Sequence, residues 1–94
     1  MNYRSKKLVE ACRELPCMAC GKQDGTVVAA HSNQQKDGKG TGIKAHDFRV
    51  AALCYECHME IDQGSNLSYS DRIARWEDAH RNTIGCLFLK GIIK

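Results

Sequence analysis

Two cysteine pairs, Cys17-Met18-Ala19-Cys20 and Cys54-Tyr55-Glu56-Cys57, each enclose a two-residue spacer, and His58 follows the second pair at once. Such a spacer lets one tight turn present two thiolates. Two turns of this kind supply the tetrahedral sulfur set that Zn²⁺ favours. The 33 residues between Cys20 and Cys54 are enough for a hairpin that brings both turns to one ion. Cys17, Cys20, Cys54 and Cys57 are therefore the expected ligands of a structural zinc, and His58 is left over. Successive helical residues are rotated by about 100°, so a Cys57 that faces the zinc turns His58 elsewhere. Asp62, four residues on, shares a helical face with His58. That spacing suits a ligating histidine with the acid that orients it, or a direct pair of metal ligands. His31 closes a short β-branched run and is followed by the polar Ser32 and Asn33.

Other chemistries fit these cysteines less well. A disulfide framework needs an oxidising compartment. The chain starts Met1-Asn2-Tyr3-Arg4-Ser5-Lys6-Lys7 with no apolar export segment after it, so reduced thiols in the cytoplasm are expected. Cys54-Tyr55-Glu56-Cys57-His58 also spells the attachment site of c-type haem, with Met18 or Met59 as conceivable axial ligands. Haem attachment belongs to exported chains and leaves Cys17 and Cys20 without a role. Thioredoxin-like redox chemistry lacks its βαβ surroundings. Cys12 falls on an apolar helical face and reads as a core residue. Cys86 has no partner at metal spacing and reads as a free, partly buried thiol.

The elements that must position these groups can be read in outline. At 94 residues one domain is expected, spanning 1–94. A chain this short has a limited core and gains from a metal staple. Residues 3–14 carry Leu8, Ala11, Cys12 and Leu15 at helical spacing, with Pro16 beyond as the stop. Thr26 to His31 and Phe48 to Leu53 read as strands. Ser32 to Thr41, polar and rich in glycine and lysine, reads as an exposed loop. A helix is expected from the second cysteine pair to about Gln63, with Gly64 ending it. A last helix, about 70–89, starts at Ser68 as N-cap with Asp71 three residues on. Ile73, Trp76, Ala79 or His80, Ile84 and Leu87 form its apolar stripe, so Trp76 is read as core and not as a base-stacking residue.

The net charge of +3 is mildly basic, which permits nucleic-acid binding without requiring it. Arg4, Lys6 and Lys7, and Arg72, Arg75 and Arg81, read as solvated faces. Lys36, Lys39 and Lys44 sit among glycines in the loop, where lysines suit a phosphate backbone. The apolar run Cys86 to Ile92 is too short to span a bilayer. Leu87, Phe88, Leu89, Ile92 and Ile93 leave apolar surface on which a partner or second copy could pack.

The order is thus cysteine pair, strand ending in histidine, basic loop, strand, and cysteine pair with a histidine at the head of a helix. This order resembles the HNH, or ββα-metal (His-Me finger), nucleases, above all the small YbcO-like nucleases of phages and prophages. The matching segments are Ala30-His31-Ser32-Asn33, Gly38 to Asp47 and Leu53 to Asp62. The resemblance covers about 15–65 closely. It implies a small zinc-stapled α+β fold, a ββα-metal core with flanking helices. It also implies metal-dependent endonuclease action on nucleic acid, DNA foremost, in the cytoplasm of a bacterial host. His31 corresponds to the histidine that activates water, and His58 to the histidine that ligates a catalytic Mg²⁺ or Mn²⁺. Lys39 and Lys44 would hold the substrate backbone. Asp47, Asp62 and Asn33 would complete or orient the metal shell, with His46 as a competing ligand. Two positions depart from the wider pattern. Ala30 stands where many members carry an acid, and Arg49 where many carry an asparagine. The reading from a different class is a non-catalytic zinc module that binds nucleic acid or protein, in which His31 and His58 are incidental.

Overall fold

A computed structural model describes residues 2–64 and 66–93. Helix α1 (Lys6–Arg13) leads to strand β1 (Val28–His31), a single 3₁₀ turn at Gln35–Asp37, strand β2 (Val50–Leu53), helix α2 (Tyr55–Gln63) and helix α3 (Tyr69–Leu89). The architecture is a compact α+β fold, three helices around a two-stranded antiparallel sheet. Its radius of gyration is 12.5 Å, close to the roughly 12 Å of one compact body of this length. Within the sheet Val28 faces Leu53 and His31 faces Val50. All four residues of β2 are fully buried. A strand covered on both faces reads as a continuous apolar run and not as an alternation, and Val50-Ala51-Ala52-Leu53 is such a run.

The strands and the first helix are shorter than their sequence patterns, and the reasons are local. α1 begins at Lys6, where Ser5 Oγ accepts from the Leu8 N–H at 3.2 Å. Tyr3 and Arg4 are drawn instead into contacts with residues 44–47. Thr26 is taken out of β1 by Asp24, whose carboxylate accepts from its N–H and its hydroxyl. The Thr26 hydroxyl in turn accepts from the Tyr55 N–H at 3.0 Å, satisfying a free donor in the first turn of α2. Phe48 leaves β2 to stack on His46. α2 ends at Gly64 as expected, but in an extended conformation with φ −64°. The glycine is needed for room, because a Cβ there would lie 2.5 Å from the Glu60 carbonyl oxygen.

The loop expected to be exposed is folded on itself. Ser32 and Asp37 are buried, and the Ser32 hydroxyl donates to Asp37 Oδ2 at 2.6 Å. Gly40 and Ile43 exchange both backbone hydrogen bonds across a tight turn. Gly38, at φ +92°, closes the 3₁₀ turn in a conformation that favours glycine.

α3 holds the sheet through side chains that complete its outward backbone groups. Trp76 Nε1 donates to Ala30 O at 3.1 Å, and His80 Nδ1 donates to Val50 O at 2.7 Å. Thr83 Oγ1 accepts from the Ala52 N–H at 2.9 Å and donates to Ala79 O at 2.7 Å. Trp76 is core, as its place on the apolar stripe indicates, and the buried Thr83 belongs to the same face. Replacing Thr83 by the near-isosteric valine leaves the Ala52 N–H buried and unpaired. Such a loss costs about 1–3 kcal/mol. The T83V variant is expected to unfold at lower denaturant with an unchanged m-value; an unmoved midpoint would show that this bond contributes nothing.

Ile92 and Ile93 pack back against the core, while Phe88 and Leu89 stay exposed. Cys12 is fully buried, and burial pushes its thiol up to about 11. Cys86 is half-buried with its Sγ 3.9 Å from Met18 Sδ. Among the described residues no helix is long and apolar enough to cross a membrane.

Candidate functional site

The sulfur atoms of Cys17, Cys20, Cys54 and Cys57 all lie within 4.8 Å of one another. The first pair sits in the turn after α1, pinned by Cys17 N–H to Lys22 O and by Met18 N–H to Ala52 O, each 2.8 Å. The second pair brackets the start of α2, so β2 fixes both halves of the centre. Tetrahedral Zn–S bonds of about 2.3 Å place sulfurs about 3.8 Å apart, and Cys20 Sγ and Cys54 Sγ stand at 3.7 Å. A disulfide requires about 2.05 Å, and all six cysteines are free.

The electrostatics fit a cation. Burial alone would push Cys17 up, but backbone N–H groups of Cys54, Cys20 and Ala19 directed at its sulfur bring it down to about 6. Burial and the neighbouring thiols push Cys57 far up, and burial foremost raises Cys54. The cluster thus favours a thiolate at Cys17 and resists one at Cys54 and Cys57. A divalent ion removes that conflict, since coordination deprotonates a thiol outright. These four cysteines can hold a metal ion such as zinc.

His31, at the end of β1, and Asp47 come together from opposite sides of the basic loop. His31 Nε2 is 2.7 Å from Asp47 Oδ1. An ionised carboxylate only accepts hydrogen bonds, so Nε2 carries the proton and the neutral ring keeps a lone pair on Nδ1. Asp47 is buried, and its second oxygen accepts from the Ser5 N–H at 2.7 Å. Arg4 adds an ion pair at 3.2 Å while its guanidinium also binds the carbonyls of Lys44 and Ala45. Burial works against the Asp47 charge, but His31, the Ser5 N–H and Arg4 hold its carboxyl below the usual range.

His58, on the first turns of α2, meets Asp62 as the four-residue spacing requires, with Nε2 2.9 Å from Oδ2. The Asp62 hydrogen bond raises the affinity of His58 for its proton in spite of burial. Asn33 reaches over from the loop after β1 and donates to Asp62 Oδ1 at 2.9 Å. By the same reasoning, when the His58 ring is neutral its lone pair lies on Nδ1. Asn33 and Asp62 also line a cleft of about 270 Å³ with Gln34, Ile61, Tyr69, Arg72, Ile73 and Trp76. His46 is differently placed. Its Nδ1 accepts from the Tyr3 N–H at 2.9 Å, so its lone pair is already used. Among the described residues the ammonium groups of Lys39 and Lys44 make no ion pair.

The two sequence departures have structural counterparts. Ala30 is buried in β1, and the acid that meets His31 is Asp47. Arg49 is an anchor: its guanidinium pairs with Asp37 of the 3₁₀ turn at 3.0 Å and with Glu77 of α3, and lies 4.9 Å from the Trp76 ring centroid. Gln34 adds a hydrogen bond to the same Glu77 oxygen at 2.8 Å. The basic residues of α3 are likewise tied to acids or carbonyls, Arg72 to the carbonyls of Asp62 and Gly64, Arg75 to Glu60 and Arg81 to Asp78. Arg4, Ser5 and Glu77 escaped sequence reading because each acts across some 28–43 residues.

Two of these carboxylates set an acid limit. Burial opposes the charge on Glu77, yet Arg49 and Gln34 draw it below its ordinary range, as their counterparts do for Asp47. In the unfolded chain such groups titrate near about 3.9 (Asp) and 4.3 (Glu). Their contribution to stability is complete above those values and is lost as pH falls through the lower folded ones. Between about pH 6 and pH 3 the parent is expected to lose denaturant resistance more steeply than an Asp47→Asn, Glu77→Gln double variant. Parallel slopes would remove these two groups from the acid response.

No protein-family model, curated protein or solved structure matches this chain.

Proposed function

We propose that this protein is a metal-dependent endonuclease of the HNH type, hydrolysing nucleic-acid phosphodiester bonds, with DNA as the foremost substrate. The observation that carries the reading is the pair of carboxylate-held imidazoles, His31 with Asp47 and His58 with Asp62, which leaves one free Nδ1 on each ring. Asn33 ties the end of β1 to the His58 pair. The order β1, β2, α2 is also the order of a ββα-metal core, and the four-cysteine cluster at the junction of β2 and α2 supports the reading.

In this reading the cysteines hold a structural zinc, and His58 Nδ1 would ligate a catalytic Mg²⁺ or Mn²⁺, with Asp62 and Asn33 orienting its ring. Such an ion, when bound, polarises the phosphate and stabilises charge on the leaving oxygen. His31 Nδ1 takes the proton of the attacking water, and an imidazole suits that step because its ordinary pKa lies near neutral pH. Asp47 holds the ring in the required tautomer. Lys39 and Lys44 are free to meet the phosphate backbone. Plasmid DNA is expected to be nicked by the parent with Mg²⁺ or Mn²⁺ and not by His31→Ala.

The pairing of both imidazoles with carboxylates of the chain itself also suits a zinc module that binds without cutting. A folded, zinc-loaded parent that shifts DNA but never nicks it, with either metal, would establish that alternative.

A further inference from the structure

Tyr3, His46 and Phe48 form an exposed aromatic group that neither the zinc centre nor the proposed catalysis uses. The His46 and Phe48 rings are stacked, with centroids 4.7 Å apart and planes 10° from parallel. Tyr3 lies 5.7 Å from Phe48 at a tilt of 42°. Phe48 is 47% exposed and Tyr3 51%. The rings are held in place from below. The Tyr3 N–H donates to His46 Nδ1, the Tyr3 carbonyl accepts from the Asp47 N–H at 2.9 Å, and the Arg49 N–H donates to His46 O at 2.9 Å. Asn2 and Arg4 fasten the adjoining loop through the Lys44 carbonyl.

Position and charge say what such a surface meets. His46 and Phe48 flank in the chain Asp47, the residue that meets His31. The same loop carries Lys36, Lys39 and Lys44, and among the described residues none of the three pairs with an acid. Exposed, prearranged rings and unpaired cations carried by one loop are the two parts of a single-strand binding surface. Bases stack on the rings, and the cations follow the backbone. In a duplex the base faces are already occupied by their neighbours, so this surface gains little from paired nucleic acid.

We propose that Tyr3 and Phe48, backed by His46, are a stacking platform for unpaired nucleobases. The substrate of the proposed nuclease is then single-stranded nucleic acid, or a strand with unpaired bases at the scissile position, such as the transiently unpaired segments of a supercoiled plasmid. This inference rests on the nuclease reading for its catalytic consequence, and its binding consequence stands apart.

Fluorescence anisotropy without added divalent ion separates the two. The probes are a labelled oligothymidylate and a labelled hairpin duplex. The parent is expected to prefer the single strand. Phe48→Leu and Tyr3→Leu are each expected to weaken single-strand binding about tenfold, the scale of one lost base stack, with duplex binding unchanged. Phe48→Trp is expected to restore it. Zinc content and unfolding midpoint, measured on each variant, report folding independently. Equal parent affinity for both probes, or single-strand binding untouched by both leucine variants, overturns the platform, as does capture of protein but not of oligonucleotide through these rings. Metal-dependent nicking that persists alongside such a result leaves the nuclease reading intact. Stacking without any nicking supports the platform and removes the nuclease.

Discussion

Removing the metal that the four-cysteine centre can hold, zinc in the proposed reading, is expected to unfold the whole domain. The centre binds the turn after α1 to the start of α2, and both rest on β2, the most buried strand. Without the ion, Cys57 and Cys54 resist ionisation while Cys17 favours it, so the turns lose their common partner. Structural zinc binding in small domains supplies an apparent 10–16 kcal/mol or so, as much as the whole stability of a typical domain, about 5–15 kcal/mol. Metal analysis is expected to find about one zinc per chain. A strong chelator is expected to abolish the helical circular dichroism and expose the buried Trp76 to solvent, with recovery on returning Zn²⁺. Cys54→Ser is expected to behave like the chelated parent. Cys86→Ala, whose thiol faces Met18 and not the cluster, is expected to keep its zinc. A chelated chain with intact Trp76 fluorescence and secondary structure would show that the apolar core suffices without the metal.

The parts of this architecture that could be read from sequence are those encoded within a few residues. Paired cysteines with two-residue spacers announce a thiolate cluster because the turn itself makes the geometry. The Ser68 cap and the stripe through Trp76, Ala79 and Leu87 announce α3 because each position needs only its helical neighbours. His58 and Asp62 meet because four residues make one helical turn. What stayed hidden was built across the chain. Thr83 lies at the same helical spacing as Trp76 and Leu87, but its polarity concealed a core position that exists to satisfy the Ala52 N–H. Arg49 was visible only as a departure from a pattern, and its partners Asp37 and Glu77 lie on two other elements. The N-terminal basic cluster looked like a solvated face. Arg4 instead clamps residues 44–47 and holds the Asp47 charge in place. Strand ends were misplaced for the same reason, since Thr26 and Phe48 have strand-forming side chains that found better partners outside the ladder.

Under the proposed nuclease mechanism, cleavage by His31→Ala is expected to fall by about 10²–10⁴-fold, the usual contribution of a positioned general base. The loss is expected in kcat, with KM little changed, because in the proposed mechanism His31 meets the reacting water and not the bulk of the strand. Asp47→Asn tests whether the neighbouring acid matters as structure or as chemistry. Asparagine nearly matches aspartate in shape, and its carbonyl can still accept from His31 Nε2. Its amide can equally donate, which would place the lone pair on Nε2 and the proton on Nδ1, where a base needs none. The fixed tautomer is lost along with the negative charge that stabilises the imidazolium formed when His31 takes its proton. Orienting partners of this kind are worth about 10–100-fold, so Asp47→Asn is expected to fall between the parent and His31→Ala. Combined with His31→Ala, it is expected to add almost nothing, because an orienter has no effect once the ring is gone. Full additivity of the two substitutions would mean that Asp47 acts by holding Arg4 and Ser5 alone. Undiminished nicking by folded His31→Ala would take the base assignment away from His31 altogether.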